Sequence, residues 1–182
     1  YHMPTGVRLR GELNIKGLEN ALQQTINRHE VLRTVIYEEE GVGYQLIKNK
    51  DEWKLDEADG SIFKDDNKGL EKIIQDIVNI PFDLSKDYMM RAHLIKLSDD
   101  EHILVLNMHH IASDGWSISV VVREISEFYA ANIENRDARL LPLNIQYVDY
   151  AIWQRKHLQG ELFDRKLNFW KQNLRDVEML QI

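Results

Sequence analysis

The chain has 182 residues, 43% hydrophobic and 29% charged, with a formal net charge of −7 and no cysteine. This suits a soluble globular chain able to bury a core, most simply a single domain over residues 1–182, and it excludes a disulfide framework and a thiol nucleophile. Excess acid argues against nucleic acid as the main partner, no apolar run is long enough to span a membrane, and the absence of a signal peptide and of cysteine fits a cytoplasmic location.

Val7 to Leu13 alternates as a half-buried strand, and Asn14 can cap the helix that follows. That helix carries Leu18, Ala21, Leu22, Thr25, Ile26 and His29 on one stripe; Arg33 extends the stripe if the helix reaches it, whereas Arg28 falls off it. Thr34 to Tyr37 and Tyr44 to Ile47 flank Glu40-Gly41-Val42-Gly43 as a hairpin, and no glycine-rich nucleotide fingerprint exists. Residues 51 to 66 are polar and read as irregular, within an acid-rich region from Ile36 to Asp66. Leu70, Ile73, Ile74, Ile77 and Val78 mark a second helix stopped before Pro81. A strand near Met89 to Leu97 and a turn at Ser98 to Glu101 lead to the next strand; symmetric closure of that hairpin places Arg91 opposite Met108. After a third helix from Ile118 to Ala131, two helical stretches, Tyr147 to Leu158 and Glu161 to Leu174, are separated by Gly160. They carry the basic cluster Arg155, Lys156, Arg165, Lys166, Lys171 and Arg175, which reads as a solvated face that an acidic protein could also meet. The periodicity gives a mixed β-sheet with helices packed on it, an α/β sandwich.

Asn107 to Ser117 is the stretch with chemistry in it. Ile103 to Met108 is apolar on both faces, the pattern of a central strand covered on both sides. Alternation puts His110 on the face of Leu104, Leu106 and Met108, and His109 on that of Ile103, Val105 and Asn107. Neighbouring strand residues cannot both turn to one ion, so no metal is expected on His109, His110 and Asp114. Ser113-Asp114-Gly115 is turn chemistry that folds the carboxylate back towards the imidazole, and Ser117 is a candidate cap for the helix that follows. A base beside a helix N-terminus suits acyl transfer.

His109-His110-x-x-x-Asp114-Gly115 followed by Trp116-Ser117 resembles the signature of nonribosomal peptide synthetase condensation domains, in the superfamily of chloramphenicol-acetyltransferase-like, CoA-dependent acyltransferases. Four further stretches carry the resemblance: Arg28-His29-Glu30-Val31-Leu32-Arg33-Thr34, Pro81-Phe82-Asp83-Leu84, Glu101-His102, and Tyr147-Val148-Asp149-Tyr150-Ala151-Ile152-Trp153-Gln154-Arg155. The histidine motif is nearest the subtype that joins L-residues. Asp87-Tyr88-Met89-Met90-Arg91-Ala92 departs from the family's Gly-Pro-Leu-Leu-Arg-Ala. Family domains have two similar lobes with a tunnel between them, and the residues here match most of the N-terminal lobe; the opening family motif and the C-terminal lobe are absent.

The resemblance implies peptide-bond formation between a donor thioester and an acceptor aminoacyl amine. Each substrate would ride on the phosphopantetheine of a peptidyl or aminoacyl carrier protein, beside an adenylation domain of the parent, with no cofactor bound directly. It implies His110 as the general base or the residue that positions the amine and the Gly115 N–H near the developing oxyanion, while the opposite facing of His109 on the strand gives that residue a structural role. Asp114, as a buried carboxylate, is expected to pair with an arginine: Arg33 first, then Arg28 or Arg91. The lobe by itself is expected to be inactive, to leave His110 at an open, partly apolar cleft edge, and to self-associate there. Two other functions stay open: a non-catalytic carrier-docking or assembly module, and a CoA-dependent O- or N-acyltransferase with the same core motif.

Overall fold

The computed structural model describes residues 1–178, and the chain forms two compact units, Tyr1–Leu143 and Asn144–Ile182. In the first unit the doubly apolar run is β6 (Glu101–His109), buried from His102 to Met108. It pairs antiparallel with β1 (His2–Arg10) on one side and β5 (Met90–Ser98) on the other. β4 (Asp56–Asp59) adds parallel to β5, so the sheet is mixed, in the order β1-β6-β5-β4.

Strand alternation divides the core in two. Met90, Ala92, Leu94, Leu104, Leu106 and Met108 pack on α1 (Ile15–Arg28) and α3 (Gly115–Glu134). Ile95, Leu97, Ile103 and Val105 pack on α2 (Asn67–Asn79). Both faces are therefore covered, as the unbroken apolar run of β6 requires. α1 begins where expected: the Gly17 N–H donates to Asn14 Oδ1 at 2.8 Å, and Leu18, Ala21, Leu22, Thr25 and Ile26 are buried. It ends at Arg28, and a 3-10 turn at Glu30–Arg33 follows, so Arg33 does not continue the stripe.

Three local features differ from the sequence reading. The hairpin of β2 (Thr34–Glu39) and β3 (Val42–Ile47) turns on Glu40 and Gly41 alone, with φ of 52° and 77°. Two consecutive left-handed residues match the twist of the flanking strands, and Val42-Gly43 extends the ladder instead. The polar stretch 51–66 holds a core anchor as well as β4. Trp53 and Leu55 are buried, and the Trp53 indole N–H donates to the Met90 carbonyl at 3.0 Å. The third difference is a bulge between Lys96 and Ser98, which slides the β5–β6 register by one residue. Arg91 therefore pairs with Asn107 rather than Met108, and a one-residue slip moves a side chain to the opposite face of the sheet.

The second unit contains α4 (Tyr147–His157) and α5 (Gly160–Asn173), neither of which buries a residue. Along α4 the rings of Tyr147, Tyr150, Trp153 and His157 follow one another at 5.8, 5.7 and 4.9 Å, the spacing of successive turns on one helix face. The basic cluster is exposed throughout. Among the described residues no helix is long and apolar enough to cross a membrane.

Candidate functional site

β6 stops at His109, and the chain leaves the sheet in a tight turn before α3 begins at Gly115. Three bonds to His109 hold this turn. Its carbonyl accepts from the Ala112 N–H and the Ser113 hydroxyl, each at 3.0 Å, and its ring Nδ1 accepts from the Ile111 N–H at 3.1 Å. The His110 N–H donates to the Tyr1 carbonyl at 2.9 Å, tying the turn to the end of β1.

His110 is exposed at the head of this turn, and its Nδ1 lies 2.8 Å from the Ser113 carbonyl oxygen. A carbonyl only accepts, so Nδ1 carries the proton and the lone pair of a neutral ring sits on Nε2. His109 is half-buried on the other side of the sheet, as alternation requires. It lies edge-on to Phe82, with centroids 5.5 Å apart, and near His2 at 6.5 Å. Burial lowers its proton affinity, and the neighbouring His2 and His110 act in the same direction.

Asp114 is exposed and forms no ion pair among the described residues, contrary to the arginine pairing expected from the sequence. It is the N-cap of α3: its Oδ1 accepts from the Ser117 N–H at 2.9 Å and the Ser117 hydroxyl at 2.7 Å. Ser117, expected as the cap, sits at the third helical position, where its hydroxyl accepts from the Asp114 N–H. Each arginine is engaged elsewhere. Arg33 bonds Glu30 at 3.2 Å and the Lys48 carbonyl at 2.5 Å, Arg28 bonds Glu124 at 3.1 Å, and Arg91 bonds Asp87 at 2.6 Å. The correction has one cause. At a helix start the open N–H groups satisfy a carboxylate without burying it, so no cation is needed.

Hydrogen bonds from Ser117, and then Trp116, hold the Asp114 carboxyl below the usual carboxylate range, and His110 adds to the effect. A depressed carboxyl stabilises the fold above its unfolded pKa, and that contribution is lost as pH falls through the folded value. Asp114→Ala is therefore expected to lower the melting temperature modestly at neutral pH, with the difference from wild type vanishing in acid. Thermal unfolding across pH checks this; a collapse of the fold at neutral pH would instead indicate a buried pair. The Asp114 carboxylate takes up the Ser117 N–H, and Gly115 stands at the first position of α3, where backbone N–H groups have no intrahelical partner and can meet a ligand.

His110 lies at an open, partly apolar edge, but the strand face beneath it does not form that edge. Leu104, Leu106 and Met108 are core residues covered by α1 and α3, and the exposed apolar groups near His110 are Ile111 and Trp116. A cleft of about 140 Å³ opens at the turn instead, lined by His29, Leu32, Met108, Ala112, Trp116 and Val120 among others. Among the described residues no group of three or more His, Asp or Glu is placed to hold a metal ion.

Sequence reasoning placed Ser113 in the turn and Phe82 in a family-like stretch without seeing what either touches, and it missed Glu124. Ser113 is 8% exposed and organises the turn through both its hydroxyl and its carbonyl. Glu124 is 3% exposed and accepts from Arg28 and from His29 Nε2, the latter at 2.6 Å. One signal for it was present: Glu124 falls on the apolar stripe of Val121, Ile125 and Phe128, where a lone charge demands a partner.

The family model of the condensation domain matches residues 1–182. A linear gramicidin synthase of Brevibacillus parabrevis is 37% identical over 182 residues, 99% of this chain and 2% of that protein. Enniatin synthase of Fusarium equiseti is 38% identical over 184 residues, 100% of this chain and 6% of that protein. Among solved structures, the X-domain from teicoplanin biosynthesis superposes with a TM-score of 0.88 at 30% identity, covering 100% of this chain and 40% of that one. The starter condensation domain of rhizomide synthetase gives 0.83 at 16% identity over 95% of this chain and 42% of that one, a likeness of fold alone. The chain thus spans less than half of the length of each of these relatives. With the family model matched along its whole length, the chain belongs to the condensation-domain family, and its fold is the chloramphenicol-acetyltransferase-like one.

Proposed function

We propose that the chain is the N-terminal lobe of a nonribosomal peptide synthetase condensation domain, with both compact units belonging to that lobe, and that the complete domain forms a peptide bond between two carrier-bound substrates. The observation that carries the reading is the His110 geometry: its Nδ1–H is committed to the Ser113 carbonyl, which leaves the exposed Nε2 free to accept. In the reaction the acceptor amine attacks the donor thioester carbonyl. A C–N bond forms, the C–S bond breaks, the amine proton passes to His110 Nε2 and from there to the departing sulfur, and the phosphopantetheine of the donor carrier leaves as the thiol. His110 accepts a hydrogen bond from the amine, which orients it and takes up its proton. The Gly115 N–H, at the start of α3, faces the developing oxyanion. Carrier proteins, the C-terminal lobe and an adenylation domain are the implied partners, and the cytoplasm, with its reduced thiols, is the implied location.

The reading is tested by mixing donor- and acceptor-loaded carrier proteins with the complete domain and with this 182-residue chain, and following the peptidyl-carrier product by mass spectrometry. The complete domain is expected to turn over and the chain alone is not, because one tunnel wall cannot hold two reacting groups at near-attack distance. Turnover by the lobe alone overturns the tunnel argument, and none by the complete domain overturns the catalytic assignment. A second reading, a non-catalytic docking module, is favoured by one observation: the teicoplanin X-domain, 30% identical, is described in complex with OxyB. Carrier binding without turnover by the complete domain is the result that reading expects. A CoA-dependent acyltransferase would instead accept acyl-CoA in place of the loaded donor carrier.

A further inference from the structure

We propose that Phe82, clamped by Arg91, is a positioning residue for the reaction, acting through the His109 ring, whose Nδ1 holds the Ile111 N–H and with it the turn that carries His110. The inference rests on His110 being the reacting residue. The last bond between β1 and β6 is that of the His110 N–H to the Tyr1 carbonyl, and beyond it the course of the chain and the setting of the His110 side chain depend on the turn bonds. Those to the His109 carbonyl are indifferent to the His109 side chain. The bond from the Ile111 N–H to Nδ1 is not, because it exists only with the ring in one rotation and a lone pair on Nδ1. Its proton is therefore on Nε2, whereas His110 carries its proton on Nδ1, facing the Ser113 carbonyl. The adjacent histidines hold opposite tautomers, and each is set by a backbone group of the same turn.

Rotation about the terminal torsion of a histidine is soft, so something must hold the His109 ring. The Phe82 ring meets it edge-to-face at 71°, and it meets His2 at 79° with centroids 5.2 Å apart. Phe82 is itself fixed from behind. The Arg91 guanidinium carbon lies 4.1 Å from its ring centroid, and the same guanidinium donates to the carbonyls of Ile80 and Pro81 at 3.0 and 2.9 Å. Arg91 thus pins both the ring and the backbone that leads into it, with Asp87 accepting at 2.6 Å from the same Nη2 that bonds the Pro81 carbonyl. The arrangement depends on the bulge between Lys96 and Ser98, because only the slipped register turns Arg91 towards this side of the sheet. Burial keeps the Nδ1 lone pair of His109 available by disfavouring its protonation.

The test uses the complete condensation domain labelled with [15N]histidine, read by long-range 15N–1H correlation and by single-turnover condensation with loaded carriers. Wild type is expected to show a pyridine-type Nδ1 and pyrrole-type Nε2 for His109, and the reverse for His110. Phe82→Leu keeps an apolar side chain but loses the ring edge. It should average the His109 tautomers and slow the chemical step on the order of 100-fold, the scale of a misplacement of about 1 Å, without changing half-saturation by the acceptor carrier. Phe82→Tyr should restore both signals, and His109→Asn, whose Oδ1 replaces the Nδ1 acceptor, should restore most of the rate. Should Phe82→Leu fail to fold, Arg91→Gln removes the cation over the ring and is expected to act in the same direction. The proposal is overturned if His109 and His110 share a tautomer, or if either substitution leaves both the tautomer and the rate as in wild type. If the tautomers are as stated but His110→Ala turns over normally, the functional reading fails and the description of the turn survives.

Discussion

His110→Ala in the complete domain is expected to lower the single-turnover rate of condensation by about 10²–10⁴-fold, the usual contribution of a positioned proton acceptor. The fold should survive. His110 is exposed beyond the end of β6, its side chain among the described residues bonds the carbonyl of its own turn, and loss of one such bond costs about 1 kcal/mol. His110→Gln refines the result, since an amide can orient the amine but takes up no proton. A Gln variant close to wild type assigns His110 to positioning, and one as slow as Ala assigns it to proton transfer. Retained turnover by His110→Ala with natural carrier-bound substrates would remove His110 from the mechanism. Loss of soluble protein would contradict its exposed position.

The parts of the architecture legible from sequence were those set by local periodicity. α1 with its Asn14 cap, α2 ending before Pro81, and the doubly covered β6 follow from spacing alone, because each element buries its own stripe. The features that were not legible depend on choices made between distant elements. Nothing local to Leu97 announces a bulge, yet that one residue decides which face Arg91 shares, and so moved it from the His110 side to the stack under His109. Trp53 hides in a polar stretch because its burial is set by the Met90 carbonyl, 37 residues away. Asp114 was misread for a different reason: the acid of a buried pair and the acid of a helix cap look alike in sequence, and only the start of α3 separates them. His110 itself was legible, since the end of an apolar run followed by a turn places a side chain at an edge whatever the register.

Glu124→Ala is expected to destabilise the fold by about 3–5 kcal/mol, the usual cost of removing one partner of a buried ion pair. The Glu124 side chain is 4% exposed, and a single oxygen, Oε2, accepts from Arg28 Nε at 3.1 Å and His29 Nε2 at 2.6 Å. Arg28 also donates to the Leu141 carbonyl at 2.5 Å, so the cluster ties together the end of α1, the middle of α3 and the segment after α3. Without the carboxylate, the His29 N–H and the Arg28 Nε–H face a cavity in place of an acceptor, and their desolvation is no longer offset. Glu124→Gln keeps an oxygen at the same place and should cost clearly less, which separates loss of the hydrogen-bond acceptor from loss of the charge. Urea denaturation of wild type and both variants measures the effect. Because α3 carries Asp114 and Gly115 at its first turn, the Ala variant should also slow condensation under conditions where it remains folded, and the Gln variant should recover most of that loss. A Glu124→Ala protein with wild-type stability would show that the three groups make no net contribution and that α3 is held against α1 by Val121, Ile125 and the apolar stripe of α1 alone.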